Sequence, residues 1–525
     1  MLKKIVGLIV LVVSLIGCTS TKEYKEIDKV PFRVEKNKTK SGDYSLDYSF
    51  FEDRNLPIPN NFTGKPSEYL IARNDTLKKY GYDFFEGDDE EKALKFYKDL
   101  EVRGYGDNSA YWRWKVVLDK DDFFKAIENN LESVYRGRPR EVLTLSQGSW
   151  KSLKITDGSV GRVKNVEVAG RGRSGVVTYI LVTTTEHKYL IAKELNIRKL
   201  FALNKKRAES SSDILLYGAK GGAKEYQANP IRRNITLFPS AYFSMEYSGK
   251  RVAIYGGGYG HGVGMSQYAA SDLAKNHDYN YKQILDRNYP NTKLKNMYSL
   301  KGVGKIINVG ITNSARGMDH SKVVLSSNGK MRINGSGFKI DVPAKQKIVV
   351  ENKGNRLWIS INGKHRVKTV NSVNITAHGY YITLEDVRRG HTSMPRYRGD
   401  MKLNLSKTNS KGIRVINQVK IEDYLKQVVP SEMPESFGLE ALKAQAVAAR
   451  TYALSDYMKN RYEADGFHVK DTTESQVYNN ANENESSIKA IEATAGKVLM
   501  SGDRPVDAKY FSTSSGFTEA SNYIW

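Results

Sequence analysis

Apolar and polar positions change rhythm several times along this chain. Ile5 to Ile16 is almost wholly apolar behind Lys3 and Lys4, and the run closes at Leu15-Ile16-Gly17-Cys18. Such a run suits the core of an export signal, whereas a membrane-spanning helix needs about 20 apolar residues. Residues 1–17 read as that signal. Residues 18–62 are polar, with the turn-rich stretch Leu56-Pro57-Ile58-Pro59-Asn60-Asn61, and read as a tether. Helical spacing appears over Asp88–Leu100 and over Asp121–Tyr135, where Phe123, Phe124, Ile127, Leu131 and Val134 recur. From Leu153 to Leu203 the pattern turns to strands, with alternation in Val163–Val168 and β-branched or aromatic runs at Val176–Thr183 and Tyr189–Ala192.

Arg251–Tyr255 is another strand, followed by a glycine loop and a helix. Residues 303–420 are strand after strand, separated by turns such as Ser327-Asn328-Gly329 and Ile361-Asn362-Gly363, which predicts a compact β-rich unit. The longest helix is expected over Gly438–Lys459. Its Leu439, Leu442, Ala446, Ala449 and Ala453 step three and four residues apart and predict one buried stripe, with Lys443 and Arg450 beside it. The whole is an α+β chain, strand-rich with a few helices.

Composition narrows the classes. The 525 residues hold 40% hydrophobic positions and 33 tyrosines, which indicates a folded and sheet-rich protein. Cys18 is the sole cysteine, so a chain cleaved before it has no disulfide, no second thiol and no thiolate metal site. A lone cysteine closing a signal core resembles a bacterial lipobox, which implies acylation of Cys18 and an extracytoplasmic, lipid-anchored protein on the cell membrane, or on an outer membrane if there is one. The formal net charge of +24 is spread along the chain. In a cytoplasmic protein it would suggest nucleic acid; in an exported one, anionic envelope polymers and phospholipid headgroups are nearer, and no nucleic-acid partner is expected.

Two motifs carry candidate chemistry. In Val428-Val429-Pro430-Ser431-Glu432-Met433-Pro434, Glu432 is expected in a turn just before the long helix, where a helix dipole alone would justify an acid. In Tyr255-Gly256-Gly257-Gly258-Tyr259-Gly260-His261-Gly262-Val263-Gly264-Met265-Ser266-Gln267, six glycines surround one histidine. Strand, glycine loop and helix is also the layout of a dinucleotide-binding turn, but no acidic residue closes a following strand about 20 positions on. The glycines suggest backbone packed closely about a substrate, with His261 projecting into it.

Both motifs resemble the SpoIID/LytB family, that of sporulation stage II protein D. Its pattern is similar to Val415-Ile416-Asn417, Glu422-Asp423-Tyr424-Leu425, Ser431-Glu432-Met433-Pro434, and Glu440 through Arg450-Thr451-Tyr452. It continues in Asp471 with Ser475-Gln476-Val477-Tyr478, in Ala493–Gly496, and in Tyr510 through Ser515-Gly516-Phe517-Thr518-Glu519. The order differs from the family's. Residues 63–294 resemble its later half and 421–525 its earlier, catalytic half, with the β-rich unit 303–420 before it, as in a circular permutation joined through Lys295–Lys301. Either one chain closes the domain or two chains exchange halves in a domain-swapped dimer.

The resemblance implies a peptidoglycan lytic transglycosylase that cleaves denuded glycan strands between N-acetylmuramic acid and N-acetylglucosamine. Glu432 would act as general acid and base, without cofactor or metal. His261, Ser266, Gln267, Lys443, Arg450, Tyr452, Asp471, Gln476, Tyr478, Ser512 and Ser514 are the candidate substrate contacts. The alternative it implies is a non-catalytic, glycan-binding enhancer of a cell-wall amidase.

Overall fold

Strand Arg113–Asp119 turns Trp114, Val116 and Leu118 into the protein, and two further strands pair with it, Leu215–Ala219 on one side and Arg251–Gly256 on the other. Arg232–Arg233 and Phe243–Ser248 complete this five-stranded antiparallel sheet. These contacts come from a computed structural model that describes residues 37–38, 44–45, 65–84, 90–156, 158–300, 302–389, 392–480 and 483–525. Cys18, the expected export signal and most of the expected tether lie outside the described residues. Among the described residues no helix is long and apolar enough to cross a membrane.

The chain divides into two compact units, residues 1–263 with 511–525, and residues 264–510. The first break therefore falls inside the glycine loop, and the second between Tyr510 and Phe511. The first unit adds a second antiparallel sheet in the order Ser149–Lys151, Val142–Ser146, Lys188–Ala192, Val177–Thr184, Val163–Arg171. Helix Lys120–Gly137 buries Phe123, Phe124, Ile127, Leu131 and Val134, the five positions its periodicity marks. The end of the chain belongs here: Thr518 pairs with Arg73 and Phe517 with Asn74.

The second unit is mixed α+β, as is the chain as a whole. Its larger sheet runs Phe338–Val342, Met331–Gly335, Val373–Thr376, Asp400–Leu405, Ile413–Lys420, Ile306–Ile311, Val469–Lys470. A second sheet runs Lys364–Thr369, Leu357–Ile361, Ile348–Asn352, Lys322–Ser326, Ile382–Leu384, Arg396–Tyr397. Together they account for the strand-rich segment 303–420.

Helix Leu439–Lys459 departs from its expected stripe. Leu439 is exposed, while Ala441, Leu442 and every residue from Ala444 to Asp456 are buried. Helices Gln267–Asn276, Tyr281–Asn288, Ile421–Glu432 and Glu485–Ala493 and strand Lys497–Ser501 all pack on it. Its alanines are small enough to let neighbours approach on every side, so the helix is a core element with no solvent face along most of its length. Residues 264–294, which the sequence groups with the preceding half, lie in this unit, and strand Lys293–Asn296 pairs antiparallel with Lys497–Met500.

Candidate functional site

Glu432 is the last residue of helix Ile421–Glu432, not part of a turn before the next helix. Pro430 sits inside that helix, where its missing N–H weakens the final turn and favours termination. The chain then passes through a short 3₁₀ turn, Glu435–Phe437, and Gly438, whose φ of +96° is open to glycine and strained for other residues. An acid at this place stands at the negative end of a helix, so the dipole rationale read from sequence is reversed.

The Glu432 residue keeps part of its surface accessible, while protein surrounds its carboxyl. Burial raises its pKa from 4.5 to about 7, against hydrogen bonds from the Val477 backbone, the Tyr510 hydroxyl and the Gln267 amide that favour the ionised form. Val477 N–H donates to Oε1 at 2.8 Å and Tyr510 Oη at 3.3 Å. All three donors are neutral, so no cation pins the carboxylate in its charged state.

Those donors are themselves held. Gln476 Nε2 donates to Tyr510 Oη at 2.9 Å and to the Ala449 carbonyl at 3.2 Å, and its Oε1 accepts from Tyr424 Oη at 3.1 Å. Gln267 Nε2 donates to Gln445 Oε1 at 3.4 Å. Gln445 Nε2 and Ser431 Oγ are buried with no hydrogen-bond partner among the described residues. Unsatisfied buried donors cost about 1–3 kcal/mol each and concentrate at functional sites. A chain of amides and hydroxyls thus surrounds one proton-binding carboxyl.

The other sequence candidates separate. Gln267 and Gln476 reach Glu432, directly and through Tyr510. Ser266 caps helix Gln267–Asn276 by accepting from Ala269 N–H at 3.3 Å. Tyr478 is buried, donating to Asn417 Oδ1 at 3.0 Å and packing on Tyr424 and Tyr397. Lys509 Nζ lies 4.4 Å from the Tyr452 ring centre.

Three charged candidates are committed elsewhere in the fold. Arg450 is fully buried and grips Glu422 with two bonds of 2.9 and 2.7 Å, and also reaches the Lys497 and Ile491 carbonyls. Asp471 is fully buried against Arg389, at 2.6 Å, and accepts from Thr312 N–H at 3.2 Å. Lys443 holds Glu440 at 2.5 Å, and Glu440 accepts the Tyr281 N–H at 2.7 Å. Each pairing neutralises a charge, and Arg450 and Asp471 lie fully inside the protein, which sequence spacing cannot show.

His261, Ser512 and Ser514 lie in the first unit. Tyr259 and Thr513 exchange backbone hydrogen bonds of 2.9 and 3.1 Å, which sets the glycine loop beside the chain's end. His261 Nδ1 accepts from Val263 N–H at 3.1 Å, and its ring packs on Phe511 and Trp525. Ser512 Oγ meets Thr513 Oγ1 at 3.1 Å, and Ser514 Oγ accepts from Gly516 N–H at 3.2 Å. Gly258, at φ +82°, shows why this loop needs glycine: a Cβ there would lie 2.9 Å from the Thr513 carbonyl oxygen.

Comparison with known proteins bears on the same segment. The family model for stage II sporulation protein, SpoIID, matches residues 409–500, which include Glu432, Gln445, Gln476 and Val477. Residues 409–500 belong to the SpoIID family. The "amidase enhancer" of Bacillus subtilis (strain 168) is 48% identical over 101 residues, covering 19% of this chain and 13% of that protein. Stage II sporulation protein D of the same organism is 35% identical over 161 residues, covering 27% and 47%. That of Bacillus amyloliquefaciens is 35% identical over 124 residues, covering 21% and 36%. This chain therefore spans less than half the length of each SpoIID relative. No solved structure matches it. Tyr510 lies outside the matched SpoIID segment, and Gln445 inside it; both stand in the family-like motifs, yet only the folded contacts set them in the Glu432 network.

Proposed function

We propose that this protein acts on the bacterial cell wall as a peptidoglycan lytic transglycosylase, with Glu432 as its acid and base. The observation that carries the reading is the Glu432 carboxyl, raised to about 7 by burial and contacted by neutral donors. At neutral pH such a group is populated in both protonation states, which suits a residue that must give and then take a proton.

Ordinary glycosidases need two carboxyl groups. A muramic residue carries its own nucleophile, the 6-hydroxyl. Glu432 gives its proton to the glycosidic oxygen as the bond from muramic C1 breaks, which releases a 4-hydroxyl on N-acetylglucosamine. The 6-hydroxyl oxygen bonds to C1, and its proton passes to the Glu432 carboxylate. The products are a 1,6-anhydromuramic end and a regenerated acid, with no water consumed. Gln267, Tyr510 and Gln476 orient the carboxyl, while the unpartnered amide of Gln445 is a candidate donor to a sugar. His261, Ser512 and Ser514 are proposed as glycan contacts on the first unit, and Cys18 as the lipid anchor of an exported protein.

Purified protein incubated with denuded glycan strands tests this directly. Anhydromuramic ends should appear by mass spectrometry and be absent with Glu432→Gln. A second reading, favoured by the name of the amidase enhancer that is 48% identical over 101 residues, is a glycan-binding partner of a cell-wall amidase. It predicts no anhydro product and a faster amidase in the presence of either form.

A further inference from the structure

The second unit carries a basic, tryptophan-centred edge that the chemistry at Glu432 does not use. Lys364–Thr369 is the edge strand of its sheet, with Leu357–Ile361 as its one neighbour. Lys364, His365, Arg366 and Lys368 are all exposed. From Lys345 to Thr369 there are seven lysines and arginines against one acid, Glu351. Two of the seven are neutralised, Lys353 by Glu351 at 2.8 Å and Lys347 by Glu385 at 2.6 Å. Among the described residues, no ion pair engages Arg356, Lys364, Arg366 or Lys368.

Two of the seven, Lys368 and the paired Lys353, approach one ring. Trp358 pairs with Lys368 across the strands, so the two share the outer face of the sheet, while Leu357 and Ile359 face the core. Lys368 and Lys353 bring their ammonium groups to 5.4 and 5.8 Å from the Trp358 ring centre, and the His365 ring lies at 4.9 Å. The indole N–H is fixed by the Lys353 carbonyl at 3.2 Å. A shift of register between Ile359 and Ser360 leaves Arg366 as the extra residue of a bulge and splays the cations along the edge.

Lysines and a bulge on an edge strand also guard against edge-to-edge pairing. That role needs neither an aromatic ring on the outer face nor cations gathered around it. The strand spaces residues about 3.3 Å apart, and the bulge sets Lys364, opposite Ile361, and Lys368, opposite Trp358, on different faces, so positive charge lines both sides of the exposed edge. Charge complementarity fits a linear polyanion better than a membrane, because Val370 is the one strongly exposed apolar residue beside the strand and insertion into lipid needs an apolar face. We propose that the Lys364–Lys368 edge, with Trp358 and Arg356, is a docking site for a linear phosphate-bearing polymer of the cell envelope. It is separate from the Glu432 network and would hold the protein on the wall.

The full chain is titrated with long-chain inorganic polyphosphate and, in parallel, with phosphatidylglycerol and phosphatidylcholine vesicles, following tryptophan fluorescence and sedimentation. The polymer should bind and quench, with an affinity that falls as salt rises. Replacing Lys364, Arg366 and Lys368 together by Ser should weaken it tenfold or more. Replacing the exposed Lys282, Lys293 and Lys330 by Ser, an equal loss of charge, should change it less than twofold. Trp358→Phe should remove most of the quench. Equal weakening by both triple variants would reduce the site to diffuse charge and overturn the proposal, as would absent polymer binding. A preference for anionic vesicles over the polymer would assign the edge to the membrane instead. Glu432→Gln should bind as the parent does, so failure here and failure of the transglycosylase reading are read separately.

Discussion

Tyr510 donates its hydroxyl to the Glu432 carboxylate at 3.3 Å while accepting from Gln476 at 2.9 Å, so one phenol joins the acid to a buried amide. The bond favours the ionised carboxylate and opposes the burial that raises it to about 7. It also turns Oε1 toward Val477 and Tyr510.

Tyr510→Phe removes a bond that lowers the carboxyl pKa, so the acid should hold its proton to higher pH. The alkaline limb of product formation on denuded glycan should move up by roughly half to one pH unit. A rate profile with an unmoved limb would mean that the Tyr510 bond carries no weight in the acid's titration.

Glu432 should also make stability depend on pH. Its folded pKa lies above the ordinary value, so the folded state binds this proton more tightly than the unfolded chain. The contribution is fully present below about pH 4.5 and is lost as pH rises through about 7. The shift corresponds to on the order of 3 kcal/mol. Glu432→Gln should therefore melt near the parent at pH 4.5 and above it at pH 8.5. Thermal unfolding at both pH values checks the sign.

Arg450→Met should lower stability, not substrate affinity. The variant leaves Glu422 without its guanidinium, and breaking a buried pair typically costs about 3–5 kcal/mol. Adding Glu422→Gln should recover part of that loss. Denaturant unfolding of the single and double variants measures both steps. A raised KM with unchanged stability would return Arg450 to the substrate.

Cys18→Ser should release the protein from the membrane fraction without changing its melting temperature. Partition that survives both the substitution and a high-salt wash would refute the lipid anchor.

Much of this protein could be read before its structure. Phe123 to Val134 announce their helix because one face is apolar at helical spacing. The turns around Asn328 and Asn362 announce the β-rich unit through residues that tolerate left-handed backbone. Glu432, Gln267 and Gln476 stood out through motifs. Arg450 drew attention as a charge beside an apolar stripe, and Asp471 through the family resemblance; in the fold each is paired with an opposite charge. Their partners, Glu422 and Arg389, lie 28 and 82 positions away along the chain.

The sequence by itself determined the local elements, the exposed or buried character of most periodic positions and the identity of one candidate acid. These depend on short-range spacing and backbone preference. Tertiary structure decided what that acid can do. Its pKa comes from burial, and its donors, Gln267, Val477 and Tyr510, come from segments before and after it in the chain. Tertiary structure also decided that an alanine-rich helix would be surrounded on nearly all sides. Desolvation and partner choice depend on which distant segments pack together, and no local pattern encodes that.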